Sequence, residues 1–260
     1  MRRRTRVSEA RQAVRSGTVW AGVLCAVLFG CLAILVGVRH GAPLPGDGAV
    51  HTWALGHRPP VAQALARGIT ATGTGIWPYL IVTAAGLIAG RDARERLRTV
   101  PCALAVLLVG QLVRGAVMES VARARPDPAD WAAYASGYAF PSGHTTTSAL
   151  AAGLLCWAVT RRARPDLART TCVLAVCWAA AVGATRAYLG VHWASDVLGG
   201  WLLATAWLSL CAWGLTRWRP QWWRPGGNSG TAPRDAEPPR TPAAPSRPSP
   251  EPPPAPTSPE

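Results

Sequence analysis

The chain has 260 residues, 49% of them hydrophobic, and a formal net charge of +14 in which every basic residue is arginine. In a soluble chain that charge would point to nucleic acid or another acidic surface. The hydrophobic residues exclude this reading, because they gather into long charge-free runs of a kind that soluble domains do not repeat.

The first segment, Met1–Ser16, carries six arginines and precedes the apolar run Gly17–Val38. That run is too long for the core of a signal peptide and no Ala-x-Ala site follows it, so it reads as an uncleaved first span. Further charge-free runs cover Gly68–Gly90, Thr99–Val113, Thr145–Thr160, Thr170–Thr185 and Val197–Thr216. A span needs about 20 apolar residues; three of the six runs reach that length, and uncharged neighbours can complete the others. The sequence therefore predicts an all-α, polytopic membrane protein, a six-transmembrane-helix bundle over residues 17–217. Arginine-rich Met1–Ser16, Arg91–Arg98, Arg161–Arg164 and the segment after Arg217 fall on one side, which the positive-inside rule makes cytoplasmic. On the other side fall His40–Arg67, Glu119–Pro141 and the turn near Arg186–His192. The expected location is the cell membrane, multi-pass, with both termini in the cytoplasm.

Residues 218–260 differ in kind. Fourteen of the 24 prolines lie between Arg219 and Glu260, so this segment has little to bury and reads as a disordered cytoplasmic tail. Trp213, Trp218, Trp222 and Trp223 before it form an expected interfacial belt. All seven cysteines sit in apolar runs without metal-ligand spacing to histidine, and they read as small packing residues rather than a disulfide framework.

Three polar stretches converge at the outer face of that topology: Arg123-Ala-Arg125-Pro126, Phe140-Pro-Ser-Gly-His144, and Thr185-Arg186 through His192 to Asp196. Pro141-Ser142-Gly143 has the form of a helix start, with Ser142 at the N-cap. Unpaired N–H groups there suit a phosphate oxygen, and Gly143 allows its close approach. His144 follows one step inside. His192 and Asp196 are spaced i, i+4, so on a helix they share a face, and the carboxylate can fix the imidazole tautomer. The alternative for that pair is a plain helix-surface contact. Arg125 and Arg186 are forked donors suited to phosphate, or else anchors to lipid headgroups. Asp47, His51, His57 and Arg58 in the first outer loop are either headgroup contacts or solvated loop residues.

Taken together these stretches resemble the type 2 phosphatidic acid phosphatase superfamily, whose signature is Lys-x6-Arg-Pro, Pro-Ser-Gly-His and Ser-Arg-x5-His-x3-Asp. The second motif is intact at Pro141–His144; the third has Arg186, His192 and Asp196 at the right spacing, with Thr185 in place of serine. The first keeps Arg125-Pro126 but has Met118 at the lysine position. The resemblance spans about residues 40–215. It implies a phosphatase of lipid-linked phosphates without metal or other cofactor. His192 is then the nucleophile that becomes a phosphohistidine, Asp196 its orienting partner and His144 the general acid and base. Arg125, Arg186, Ser142 and the Gly143 N–H bind the phosphoryl oxygens.

Met118 removes one expected cation. Arg114, one turn earlier on the same helix, either restores that charge or snorkels to headgroups; Arg123 is a second candidate. Two other functions use the same residues, a non-catalytic binder of lipid phosphates and a phosphotransferase to an acceptor other than water. Partners are a lipid phosphate and membrane lipids, with no nucleic acid. Undecaprenyl diphosphate, phosphatidic acid and phosphatidylglycerol phosphate all qualify as substrates, and the sequence is silent on oligomeric state.

Overall fold

A computed structural model describes residues 2–217, with side chains omitted for residues 2–16, Thr18 and Thr216. The expected tail over residues 218–260, with Trp218, Trp222 and Trp223, lies outside the described residues. Eight α-helices follow in order among the described residues: α1 (Arg2–Val38), α2 (Asp47–Gly56), α3 (Pro60–Ala71), α4 (Trp77–Ala89), α5 (Ala93–Val121), α6 (Gly143–Arg162), α7 (Pro165–Tyr188) and α8 (Ala194–Arg217). A single 3-10 turn, Pro128–Asp130, interrupts the loop between α5 and α6.

Local chemistry sets most of the boundaries. Proline opens α3 and α7 at the first helical position and follows one residue into α4, where its missing N–H costs nothing. Asp92 caps α5 by accepting from Glu95 N–H, and Glu95 reaches back to accept from Arg91 N–H. Ala122 ends α5 in a left-handed conformation, φ 47°.

The helices α1, α5, α7 and α8 contain stretches long and apolar enough to cross a membrane, Val19–Val38, Ala93–Val121, Pro165–Tyr188 and Ala194–Leu215. Only 11% of the most apolar window of α1 is buried, and Trp20, Ile34, Leu112 and Leu174 stand well exposed. In water such faces would drive aggregation; in lipid they are the solvated surface. The chain is therefore an all-helical membrane protein.

The sequence-based expectation for the second span is only partly met. The run Gly68–Gly90 is not one helix: α3 ends at Ala71, Gly75 turns with φ +62°, and α4 begins at Trp77. At 13 residues α4 is short for a span. Helix α6 has 20 residues but begins with a polar turn, Thr145, Thr146, Thr147 and Ser148, all buried inside the bundle. The expected outer loop His40–Arg67 holds α2 and much of α3. The seven cysteines are free; five are half-buried, Cys156 among the residues packed against an apolar cluster, whereas Cys31 and Cys177 are exposed and do not pack in the core as expected.

Helix α6 lies at the centre, packed on α4, α5, α7 and α8, while α1 packs mainly along α8. Val82, Ala85, Leu107, Leu150, Ala151 and Leu154 form the main apolar core. Small residues let the helices approach closely: a Cβ on Gly86 would fall 2.6 Å from Val100 Cα. The Thr99 hydroxyl donates to Gly86 O across the same contact at 2.6 Å. The C-termini of α1, α5 and α7, the N-termini of α6 and α8, and the pair α2–α3 gather at one end of this bundle.

Candidate active site

At that end a cavity of about 330 Å³ is lined by Arg114, Arg125, Gly143, His144, Arg186 and His192, with Thr74, Gln111, Tyr134 and Thr147 among the remaining walls. Three elements deliver the charged groups. Helix α5 brings Arg114, the loop after it brings Arg125, and the last turn of α7 brings Arg186.

Helix α6 aims its N-terminus at the cavity. Gly143 and His144 occupy its first two positions, so their N–H groups have no acceptor within the helix and carry its positive end. Gly143 lets the Arg114 guanidinium lie close over the start of α6. A Cβ there would stand 3.0 Å from Arg114 Cζ. Ser142 does not line the cavity, contrary to its expected phosphate role. It is fully buried: its N–H donates to Asp196 O at 3.1 Å and its Oγ accepts from Thr145 at 3.0 Å. Its part is to fasten the start of α6 to the start of α8.

His192 sits in the turn before α8, 2% exposed. It is not on one helix face with Asp196, as the i, i+4 spacing predicts. Helix α8 starts at Ala194, and Asp196 in its first turn folds back, its Oδ2 accepting from Trp193 N–H at 2.8 Å. This is the reciprocal half of a capping box. It still faces His192: Nδ1 and Asp196 Oδ2 are 3.4 Å apart, a charge contact without a hydrogen bond, and Nδ1 is buried with no other partner. Arg125 Nη1 lies 2.9 Å from His192 Nε2. Arginine can only donate, so Nε2 carries the lone pair and Nδ1 the proton, facing Asp196. Burial holds the His192 pKa well below its usual 6.5, and the nearby Arg125, Arg186 and Arg114 charges push the same way. The ring is a neutral base with its lone pair turned to the cavity.

Arg125 is positioned by carbonyls rather than carboxylates: it donates to Gly137, Ser136, Tyr138 and Val191 oxygens. Arg186 is 2% exposed, bonds Thr70 Oγ1 through Nη1 at 3.3 Å, and has a buried Nε with no protein partner. Arg114 donates from Nε to Pro141 O at 2.9 Å, which holds its fork over Gly143. Met118 lies outside the cavity, its thioether end beside Gly137.

Arg123 departs from expectation. It is 0% exposed and does not reach the cavity. Its Nη1 donates to Asp196 Oδ1 at 2.6 Å and Ser195 Oγ at 2.7 Å, and its Nη2 to Asp47 Oδ2 at 2.8 Å and Ala42 O at 3.2 Å. Its Nε donates to Gly41 O at 3.2 Å. An arginine enclosed this way serves the carboxylates behind His192, not a phosphate. Asp47 is the other surprise, a buried partner from the first loop rather than a headgroup contact or a solvated residue. Burial opposes its ionisation, but hydrogen bonds from the Ser195 side chain and backbone, Leu44 N–H and Arg123 leave its pKa lowered. Of the remaining loop residues, His51 pairs with Asp130 at 2.9 Å and Arg58 donates to Asp130 O, which ties α2 and α3 to the α5–α6 loop. Among the described residues no group of three or more His, Cys, Asp or Glu side chains is placed to hold a metal ion.

Residues 99–220 match the family model described as the PAP2 superfamily. The chain is 28% identical over 179 residues to phosphatidylglycerophosphatase B of Bacillus subtilis (strain 168), covering 66% of this chain and 84% of that protein. It is 35% identical over 82 residues to phosphatidylglycerophosphatase B of Escherichia coli (strain K12), a match that spans only 29% of the relative. Its fold is similar to the crystal structure of a transmembrane PAP2 type phosphatidylglycerolphosphate phosphatase from Bacillus subtilis. That match has a TM-score of 0.64 at 24% identity and covers 78% of this chain and 98% of the other.

Proposed function

From the premise that the chain belongs to the PAP2 superfamily, we propose that it is a phosphatase of membrane lipid phosphates, with phosphatidylglycerol phosphate the first substrate to test. One observation carries the reading. A neutral imidazole presents its Nε2 lone pair to a cavity that also holds His144 and three arginines.

The residues divide the chemistry as follows. Arg114, Arg125, Arg186 and the first N–H groups of α6 bind the phosphoryl oxygens, whose charge must be stabilised in transfer. A phosphoryl oxygen takes over the Arg125 donor and so frees His192 Nε2. Nε2 attacks phosphorus as the bond to the lipid oxygen breaks, and His144 gives that oxygen its proton. Water then attacks the phosphohistidine with His144 taking its proton, the P–N bond breaks, and phosphate leaves. Bound phosphate offsets the arginine charge around His144, which lets it carry the proton in the first step. Asp196 holds the Nδ1–H tautomer and stabilises the positive charge that grows on the ring. With the arginine-rich turns on the cytoplasmic side, this end of the bundle is extracytoplasmic, where a lipid headgroup can enter from the interface.

The decisive experiment measures phosphate released from phosphatidylglycerol phosphate, phosphatidic acid and undecaprenyl diphosphate by the full chain in detergent, with His192→Ala beside it. Release by wild type alone supports the reading; no release from any of them, or equal release by both, sinks it.

Two further outcomes are expected at the phosphate cradle. Arg114 stands where a donor reaches the phosphate despite Met118 at the motif position. Arg114→Gln should lower kcat/KM on the order of 10–100-fold, the worth of one charge-assisted hydrogen bond. A headgroup anchor with no part in the site would leave it unchanged. Gly143→Ala places a methyl 3.0 Å from Arg114 Cζ and over the approach of an oxygen. Kinetics on this variant should show KM raised about tenfold, with melting temperature little changed.

A further inference from the structure

The carboxylates behind His192 number two, and the motif accounts for only one of them. Asp47 comes from the first residue of α2, far away in sequence, and is 2% exposed. Everything that meets its oxygens is a donor: Leu44 N–H at 2.9 Å, Ser195 N–H at 2.9 Å, Ser195 Oγ at 2.6 Å and Arg123 Nη2 at 2.8 Å. Asp196 is likewise met by donors, Arg123 Nη1 on one oxygen and Trp193 N–H on the other. Donors on every side work against the burial that disfavours ionisation of both groups. One guanidinium thus serves two carboxylates, and the buried cluster keeps one net negative charge against His192.

That surplus matters for the chemistry. Were Asp47 neutral, the Arg123 charge would fall on Asp196 alone and cancel most of its field at the imidazole. The ring gains positive charge as Nε2 bonds phosphorus, so the stabilisation lost would be that of the transition state more than of bound substrate. Asp47 also fixes geometry. Its two bonds to Ser195 hold the residue immediately before Asp196, and that residue lies in the first turn of α8. Resting on the phosphatase reading, we propose that Asp47 is a positioning residue for His192, acting through Arg123 and Ser195 on Asp196. Partners that orient a reactive group at one remove commonly carry about 10–100-fold of its function.

The test compares full-length wild type, Asp47→Asn and Ser195→Ala in detergent, reading kcat and KM on phosphatidylglycerol phosphate together with the melting temperature. Asparagine keeps an acceptor for Ser195 N–H but removes the charge. Asp47→Asn should lower kcat by about 10–100-fold with KM within about threefold, because it touches no phosphate oxygen. Ser195→Ala, which removes the two hydrogen bonds of that hydroxyl, from Arg123 and to Asp47, and leaves both ion pairs, should lower kcat by about 3–10-fold. A merely structural role would reduce the amount of folded enzyme and leave its kcat alone. Folded Asp47→Asn with wild-type kcat overturns the proposal. If Asp47→Asn does not fold, Ser195→Ala decides, and wild-type kcat in that variant overturns it equally. A wild type inactive on every lipid phosphate is a different failure, which removes the phosphatase reading and this inference with it.

Discussion

His192→Ala is expected to abolish lipid phosphate hydrolysis, lowering kcat by about four orders of magnitude or more. The size of the effect follows from how the ring is held. Its Nε2 faces the Arg125 guanidinium, which can only donate, so the ring presents a neutral nitrogen lone pair toward the arginines. The scaffold should survive, because Asp196 stays bonded to Arg123 and to Trp193 N–H without the imidazole. Brief exposure to radiolabelled substrate, followed by alkaline quench, should trap an acid-labile phosphoenzyme in wild type. His192→Ala should show none, and His144→Ala should retain label for longer, having lost the base that activates water. Label in His192→Ala would move the nucleophile elsewhere. The pH dependence has a definite sign as well. Because the His192 pKa is held well below 6.5, the free base persists as pH falls through that value, and kcat/KM should show no acid limb from this group near 6.5. By linkage the folded state then binds fewer protons than the unfolded chain below pH 6.5, so stability from this residue falls as pH drops.

Much of this site was legible in the sequence, and the reason is local. Gly143 and His144 are placed by a helix start, Arg186 by the last turn of a helix, and His192 with Asp196 by a short turn; each depends on a few consecutive residues. Arg125 and Arg186, expected to bind phosphate, line the cavity, and so does Arg114. Ser142 and Arg123 misled for a shared physical reason. A polar side chain near a motif can face the ligand or the opposite side, and only tertiary packing decides which. Asp47 could not have been found, since the bond that defines it spans 148 residues and no periodicity links the two ends. The span Gly68–Gly90 failed because hydropathy does not register Gly75, whose positive φ turns the chain between α3 and α4. Helix α6 falls short on apolarity for the opposite reason: its first turns carry hydroxyls that are buried inside the bundle and bonded back to the chain instead of facing lipid.

Arg123→Met should destabilise the fold by about 3–5 kcal/mol, the cost of leaving a buried ion pair without one partner. Its shape nearly fills the space, so the loss is electrostatic more than a cavity. The arginine uses all of its five N–H donors, on Gly41 O, Ala42 O, Ser195 Oγ, Asp47 and Asp196. Four separate segments meet on it: the loop after α1, the start of α2, the loop after α5 and the start of α8. Arg123→Lys keeps the charge but offers only three donors from a single point, and should recover less than half of the loss. Thermal melts in detergent across pH separate this account from simple packing. In wild type the lowered Asp47 pKa contributes stability above its usual 3.8, lost as pH falls through the lowered value. Without Arg123 one of the bonds that lower that pKa is gone, so the carboxyl takes up its proton at higher pH than in wild type. The gap between wild type and Arg123→Met should therefore widen from acid toward neutral pH. A gap that is constant with pH would mean that Arg123 holds these segments by its bulk and not by its charge.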